Sequence, residues 1–331
     1  MKKHLKSKSI LFLFLVALMA ASCLSDDNGG IQRPPENIAD LVKTIDDLSL
    51  LESALERADL VSSLEELGSF TLLAPNNAAL TTFLEDNDFA DIDAIPVDVL
   101  RQVLLNHLLV GEFRSTNLID VSGYVRTFAE APVAENRMSM YVDGTDGIGF
   151  NNVAKVAPGG RDIAASNGSI HIVDGVIGLP TLATFVLADS SFRELETALT
   201  SATPSVDYIT VLSDTGLLTL FAPLDTAFDA LLSSNPDWNS LEDIDEDLLN
   251  SVLAHHVIGG ANIVSTDIEN NEESPSTLEG DTLTFTVTGN NAILITDGSG
   301  NTDTTITATD IQGSNGVLHV INRVMIPNTE N

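Results

Sequence analysis

At 331 residues, 44% of them hydrophobic, the chain is long enough for two ordinary domains and apolar enough to give each a core, which argues against a disordered polymer. Its 48 Asp and Glu stand against 15 Lys and Arg, a net charge of −33 whose field repels phosphate backbones and anionic headgroups, so nucleic acid is not an expected partner. A single cysteine, Cys23, leaves no internal disulfide or cysteine–zinc cluster, and a single tryptophan, Trp238, leaves little for a sugar cleft built on stacked rings.

The first segment reads as an address. Lys2, Lys3, Lys6 and Lys8 precede an unbroken apolar run from Ile10 to Ala20, too short to span a bilayer and flanked as a signal peptide is. Ala20-Ala21-Ser22-Cys23 then resembles the lipobox of bacterial lipoproteins, with Ala20 where that pattern more often has Leu. The expectation is a signal peptide over 1–22 and acylation of Cys23. Multiple acyl chains would hold the protein to the outer membrane, because each buried methylene adds about 0.8 kcal/mol. Ser25-Asp26-Asp27 resembles the acidic signals that send some lipoproteins to the cell surface, with a plain acidic tether as the alternative. Residues 23–35, with Gly29-Gly30 and Pro34-Pro35, read as a flexible spacer.

Helical spacing begins behind Asn37, a suitable N-cap, with Ile38, Leu41, Val42, Ile45 and Leu48, and continues through Leu51, Leu55, Ala58 and Leu64. Phe70 to Ala74 reads as a buried strand stopped by Pro75. A helix is expected from Asn77 to about Glu85, and another from Pro96 to Leu109, closed by Gly111. The remainder is strand-like up to the apolar run Ser169 to Ile177.

The pattern then repeats. Phe70-Thr71-Leu72-Leu73-Ala74-Pro75 returns 148 residues later as Leu218-Thr219-Leu220-Phe221-Ala222-Pro223. Asp162-Ile163, Asn167-Gly168 and His171 return as Asp310-Ile311, Asn315-Gly316 and His319, while His107 and Gly111 return as His256 and Gly260. So long a period means duplicated domains, not a solenoid. We place them at 36–180 and 181–331. In the second, Leu283, Phe285 and Val287 alternate with threonines as one half-buried strand, and Gly289-Asn290-Asn291 turns it toward Ala292 to Ile295. Helices first and an antiparallel sheet afterwards make each copy α+β.

With these residues in view, both copies resemble the fasciclin (FAS1) domain. Its first box, an apolar Thr-containing strand ending in Ala-Pro before a helix, fits Phe70 to Leu80 and Leu218 to Phe228. Its second, Asn-Gly-x-x-His-x-Ile/Val-Asp-x-Val, fits Asn167 to Val176 and, with Asn322 in place of Asp, Asn315 to Val324. The resemblance covers roughly 36–327. It implies two tandem fasciclin-like domains, each a wedge of N-terminal helices packed on an antiparallel sheet, which bind extracellular protein or polysaccharide without catalysis or cofactor. Members that contact animal cells have been linked to a Tyr-His pair in the middle helix region; here the pairs are Asn106-His107 and His255-His256.

The remaining candidates for chemistry read mostly as structure. His107 and His256 at a helix end, and His171 and His319 in the closing strands, are expected to be buried rings hydrogen-bonded through one nitrogen, since an unpaired buried polar group costs about 1–3 kcal/mol. Asn167-Gly168 and Asn315-Gly316 are hairpin-turn signatures. Asp297, Ser299, Asn301 and Asp303 alternate as calcium-loop oxygens do, but Thr302 stands where an EF-hand has Gly and Ala308 where it has its bidentate Glu. A solvated hairpin tip is therefore preferred, with weak calcium binding as the alternative. No nucleophile elbow, P-loop or dinucleotide fingerprint occurs. The expected function is a surface-tethered adhesion or recognition lipoprotein. The alternatives are an accessory structural lipoprotein of an outer-membrane assembly and, less favoured, a divergent extracellular hydrolase.

Overall fold

The computed structural model describes residues 36–328 apart from 66–67, 134–135 and 204. The expected signal peptide, Cys23 and the tether to residue 35 lie outside the described residues, as do 329–331. The chain forms two compact units. One runs to Ala129 and resumes over Met140–Gly178; the other takes Glu130–Ser139 and Leu179 onward.

Three short helices open the first unit: α1 (Ile38–Thr44), α2 (Ser49–Arg57) and α3 (Val61–Glu65). Asn37 caps α1, its side chain accepting the Asp40 N–H at 2.9 Å and so satisfying one of the orphan donors of a helix start. Strand β1 (Phe70–Pro75) leads into α4 (Asn77–Asp86), which is capped by Asn76. Then come α5 (Val97–Asn106), β2 (Leu108–Val110), α6 (Ser115–Leu118) and strands β3 (Ser122–Glu130), β4 (Arg137–Asp143), β5 (Gly149–Phe150), β6 (Ala154–Lys155), β7 (Ile163–Ala165) and β8 (Gly168–Val173). The eight strands form one sheet in the order β6-β5-β4-β3-β2-β1-β8-β7.

The expected helix through Leu109 stops earlier. Helical spacing persists through Leu104, Leu105 and Leu108, but Leu108–Val110 pairs antiparallel with Phe70–Leu72, so sheet hydrogen bonds replace helical ones after Asn106. β1 pairs antiparallel with β2 and β8 with β7, whereas β1 and β8 run parallel, Phe70 opposite Gly168 and Pro75 opposite Val173. Successive β1 side chains serve opposite faces. Leu72 and Ala74 join Ile38, Leu51, Leu100 and Ile170 under the helices, while Leu73 joins Met140, Phe150 and Val173 on the other face. Each fully buried Leu contributes about 1.5–3 kcal/mol.

The second unit repeats this plan with α7 (Leu182–Ala188), α8 (Arg193–Thr200), α9 (Tyr208–Ser213), β9 (Leu218–Pro223), α10 (Asp225–Ser233), α11 (Glu246–His255) and β10 (Val257–Gly259). Strands β11 (Glu272–Glu273), β12 (Thr284–Val287), β13 (Ile293–Thr296), β14 (Thr304–Gln312) and β15 (Gly316–Ile321) complete a sheet ordered β10-β9-β15-β14-β13-β12-β11. Again the first and last long strands, β9 and β15, lie parallel, and the strand and turn expected over Leu283 to Ile295 form the β12–β13 hairpin.

The parallel pairing explains the glycine of each Asn-Gly. A Cβ on Gly168 would lie 2.0 Å from the carbonyl oxygen of Phe70, and one on Gly316 would lie 2.1 Å from that of Leu218. The neighbouring backbone leaves no room for a side chain.

Candidate functional site

The polar residues that recur between the copies are spread along the closing strand, one histidine at the end of the middle helix, a second against the loop after it, and the asparagine at the strand's start. His107 caps α5 and is fully buried. Its Nδ1 lies 2.8 Å from the Val103 carbonyl, so it carries the proton and donates, and its Nε2 accepts the Ile177 N–H at 2.9 Å. His256 caps α11 in the same way, Nδ1 to the Val252 carbonyl at 2.7 Å and Nε2 from the Met325 N–H at 2.9 Å. Both nitrogens of each ring are engaged, where one was expected. Burial outweighs these bonds and lowers each pKa to about 4, so both rings are neutral at pH 7.

His171 and His319 use the opposite tautomer. Nε2 donates to the Phe113 and Ile263 carbonyls at 2.8 Å, and Nδ1 accepts the N–H of Asp162 at 3.3 Å and of Asp310 at 3.4 Å. Burial lowers the pKa of His319. The carboxylate of Asp162 takes both the N–H and the hydroxyl of Ser115, and that of Asp310 those of Ser265. Burial pushes the Asp162 pKa up, but Ser115, His171 and Arg114 outweigh it and hold the group below the usual range. Serine, aspartate and histidine thus meet twice without the wiring of a nucleophilic triad: each serine hydroxyl donates to carboxylate instead of lying on the imidazole. Thr71 and Thr219, in the first box, grip the same loops. Thr71 Oγ1 donates to the Gly111 carbonyl at 2.8 Å and accepts the Phe113 N–H at 2.7 Å, and Thr219 does likewise with Ala261 and Ile263. Sequence reasoning passed over Ser115, Ser265, Thr71 and Thr219 as functional positions, although the repeat contains them.

Asn167 and Asn315 do more than turn the chain. Asn167 Oδ1 accepts the Ile38 N–H at 3.0 Å and Nδ2 donates to the Leu64 carbonyl at 2.7 Å, joining the start of α1 to the end of α3. Asn315 joins Leu182 to Leu212 and Asp214. Pro75 and Pro223 end β1 and β9 beside these closing strands, opposite Val173 and Ile321.

Of the calcium candidates, Asp297, Ser299 and Asn301 are hydrogen-bonded to one another, and the tip is not solvated at its first member. Asp297 is 5% exposed and spends its carboxylate on five donors: Oδ1 on the N–H and hydroxyl of Ser299 and the N–H of Asn301, Oδ2 on Asn301 Nδ2 and the Ile326 N–H. Asp303 pairs with Arg323 at 2.9 Å. A cavity of about 230 Å³ lies between this loop and the Ala227–Leu231 face of α10.

Among the described residues, one group of side chains stands close enough to share a cation. His255, Glu279 and Asp281 bring ligand atoms within 4.8 Å of one another. The ring is fully buried, its Nε2 accepts the Gly298 N–H at 3.1 Å, and its Nδ1 faces Glu279 Oε2 at 3.4 Å, close enough to attract though not aligned as a full hydrogen bond. An Nε2 that accepts places the neutral ring's proton on Nδ1, whereas a metal-bound histidine donates from its other nitrogen. The arrangement therefore suits a proton better than a metal ion.

The sequence pattern described as the fasciclin domain matches residues 46–180 and again 191–327. A fasciclin-like arabinogalactan protein of Arthroderma benhamiae is 23% identical over 97% of this chain and 71% of its own length. Human periostin is 26% identical over 67% of this chain, which spans 24% of periostin. A solved FAS1 domain pair from the insect cell adhesion molecule fasciclin I superposes with a TM-score of 0.50 at 18% identity, covering 84% of this chain and 97% of that one.

Proposed function

The chain belongs to the fasciclin family, and from that premise we propose that it is a surface-tethered adhesion or recognition lipoprotein binding extracellular protein or polysaccharide. Fasciclin domains are non-catalytic adhesion modules, and this chain carries two. The observation that carries the proposal is the use made of the recurring polar side chains. His107, His171, His256, His319, Asn167 and Asn315 are all buried and spent on backbone groups of their own unit, so the motif builds a scaffold and leaves recognition to the surface. The excess of carboxylates favours partners that are neutral or basic. Cys23, acylated, would supply the tether through the spacer to residue 35. The names of the fungal relative, a fasciclin-like arabinogalactan protein, and of the structural neighbour, an insect cell adhesion molecule, fit this role.

Two experiments test the two halves of this reading. The chain lacking residues 1–35, screened on glycan and extracellular-protein arrays, should give saturable binding that point changes on its surface abolish; no binding to any member would remove the recognition role. Cys23→Ser should leave the outer-membrane fraction, and wild-type fractionation of that variant would remove the anchor.

A further inference from the structure

His255 is the one domain histidine without a counterpart, since the first copy has Asn106 at its place. There the side chain is a permanent donor, Asn106 Nδ2 reaching the carbonyls of Ile177 and Gly178 at 3.3 and 3.0 Å. In the second copy the same position is an acceptor, Nε2 receiving the Gly298 N–H at 3.1 Å. An imidazole accepts at Nε2 only while it is neutral.

What Gly298 belongs to gives this bond reach. Its neighbour Asp297 holds the Ile326 N–H at 2.9 Å, and the Ser299 N–H donates to the Ile326 carbonyl at 3.0 Å. Asp281 Oδ2 holds the Asn328 N–H at 2.7 Å. Ring, loop and the segment Ile326–Asn328 are one hydrogen-bonded assembly. The approach is tight as well: a Cβ on Gly298 would meet Asp281 Oδ2 at 2.3 Å and His255 Cε1 at 3.1 Å. Two N–H groups turned toward each other in that space repel, with no slack to absorb the repulsion. The titratable groups facing the ring are Glu279 and Asp281 from one loop, Asp297 from the other, and His256 from its own helix. The three carboxylates supply the countercharge a buried imidazolium needs.

We propose that His255 is a proton-operated latch: neutral, it holds the 297–301 loop and with it Ile326–Asn328 against the end of α11; protonated at Nε2, it releases Gly298 while its charge is taken up by Glu279 and Asp281. The first unit, with Asn106, has no such latch. Burial lowers the pKa of His255 against the pull of these carboxylates, which puts release on the acid side of 6.5.

The test is an NMR titration of the ¹⁵N-labelled full chain from pH 8 to 4, with circular dichroism at each point. The His255 ring and the amides of Gly298, Ser299, Ile326 and Asn328 should move together with one midpoint below 6.5 while the dichroism stays native. His255→Asn, which installs the first copy's residue, should hold those amides still over the range. Glu279→Gln, which keeps an acceptor and removes the charge, should lower the midpoint by about one pH unit. Amides that stay put while the ring titrates, a ring that stays neutral until the dichroism collapses, or an unmoved midpoint in Glu279→Gln would each overturn the proposal.

Discussion

Nε2 of His256 accepts the backbone N–H of Met325 at 2.9 Å, a direct bond from the end of α11 to the tail of the second unit. The same ring ties back to Val252 through Nδ1, so it rivets the end of α11 to the stretch that follows β15. Removing it orphans a buried donor and a buried acceptor together. His256→Ala should cost about 2–5 kcal/mol, above the 1–3 kcal/mol of one lost partner because a cavity is left as well. Chemical denaturation with matched m-values measures this; a loss below about 0.5 kcal/mol would contradict the rivet.

Acid should weaken the fold through the neutral histidines. His107 and His256 have folded pKa values of about 4 against 6.5 unfolded, so protons bind the unfolded chain more tightly. Their stabilisation is whole above 6.5 and is lost as pH falls from 6.5 to about 4, on the order of 3 kcal/mol per ring. Denaturation midpoints between pH 7.5 and 4 should fall on that slope. The double variant His107→Gln/His256→Gln should be less stable at pH 7 with a flatter profile, and an unchanged slope would contradict the assignment.

Gly168→Ala and Gly316→Ala should be among the most damaging single substitutions in the chain. Each inserts a methyl about 2 Å from a carbonyl oxygen of the parallel neighbour, at Phe70 or Leu218. We expect a loss of at least several kcal/mol, or no soluble protein, where an exposed glycine such as Gly178, with open space around its Cβ, should tolerate alanine within about 0.5 kcal/mol. Thermal unfolding of the three variants decides this.

Much of this was legible in the sequence. The duplication, β1 and β9, the start of α1 behind Asn37 and the β12–β13 hairpin all follow from local spacing and turn chemistry. What escaped depends on partners distant along the chain. Leu108–Val110 keeps helical spacing and becomes strand because Phe70–Leu72 offers it an edge. Asn167 announces a turn, yet its amide serves Ile38 and Leu64. Asp297 looks like a solvated ligand until Ser299, Asn301 and Ile326 are seen to occupy it. His255 shows no role until Gly298 and Glu279 stand beside it.

Calcium offers a further check on Asp297. With its carboxylate already accepting five hydrogen bonds, a cation must displace donors to enter. Calcium and magnesium at matched ionic strength should raise the melting temperature equally, through screening of like charges. Asp297→Asn should lower it in either salt, because an amide cannot accept at both ends. A calcium-specific rise abolished by Asp297→Asn/Asp303→Asn would show a metal site instead; a true site at 100 times its dissociation constant would add about 2.7 kcal/mol.

The parallel pairing of β1 with β8, and of β9 with β15, also bears on how the chain is made. The strand that seals each sheet is the last long one synthesised, and it lies beside the first. A first repeat that emerges N-terminus first therefore leaves this edge of β1 unpaired until Gly168–Val173 follows, and the helices packed on Leu72 lack Ile170 to complete their floor. Contacts so remote in sequence fold slowly, since loop closure precedes any gain from pairing. Once β8 arrives, however, that edge is filled before β15, its counterpart in the second copy, has emerged. Order along the chain thus favours the pairing of each first strand with the closing strand of its own copy.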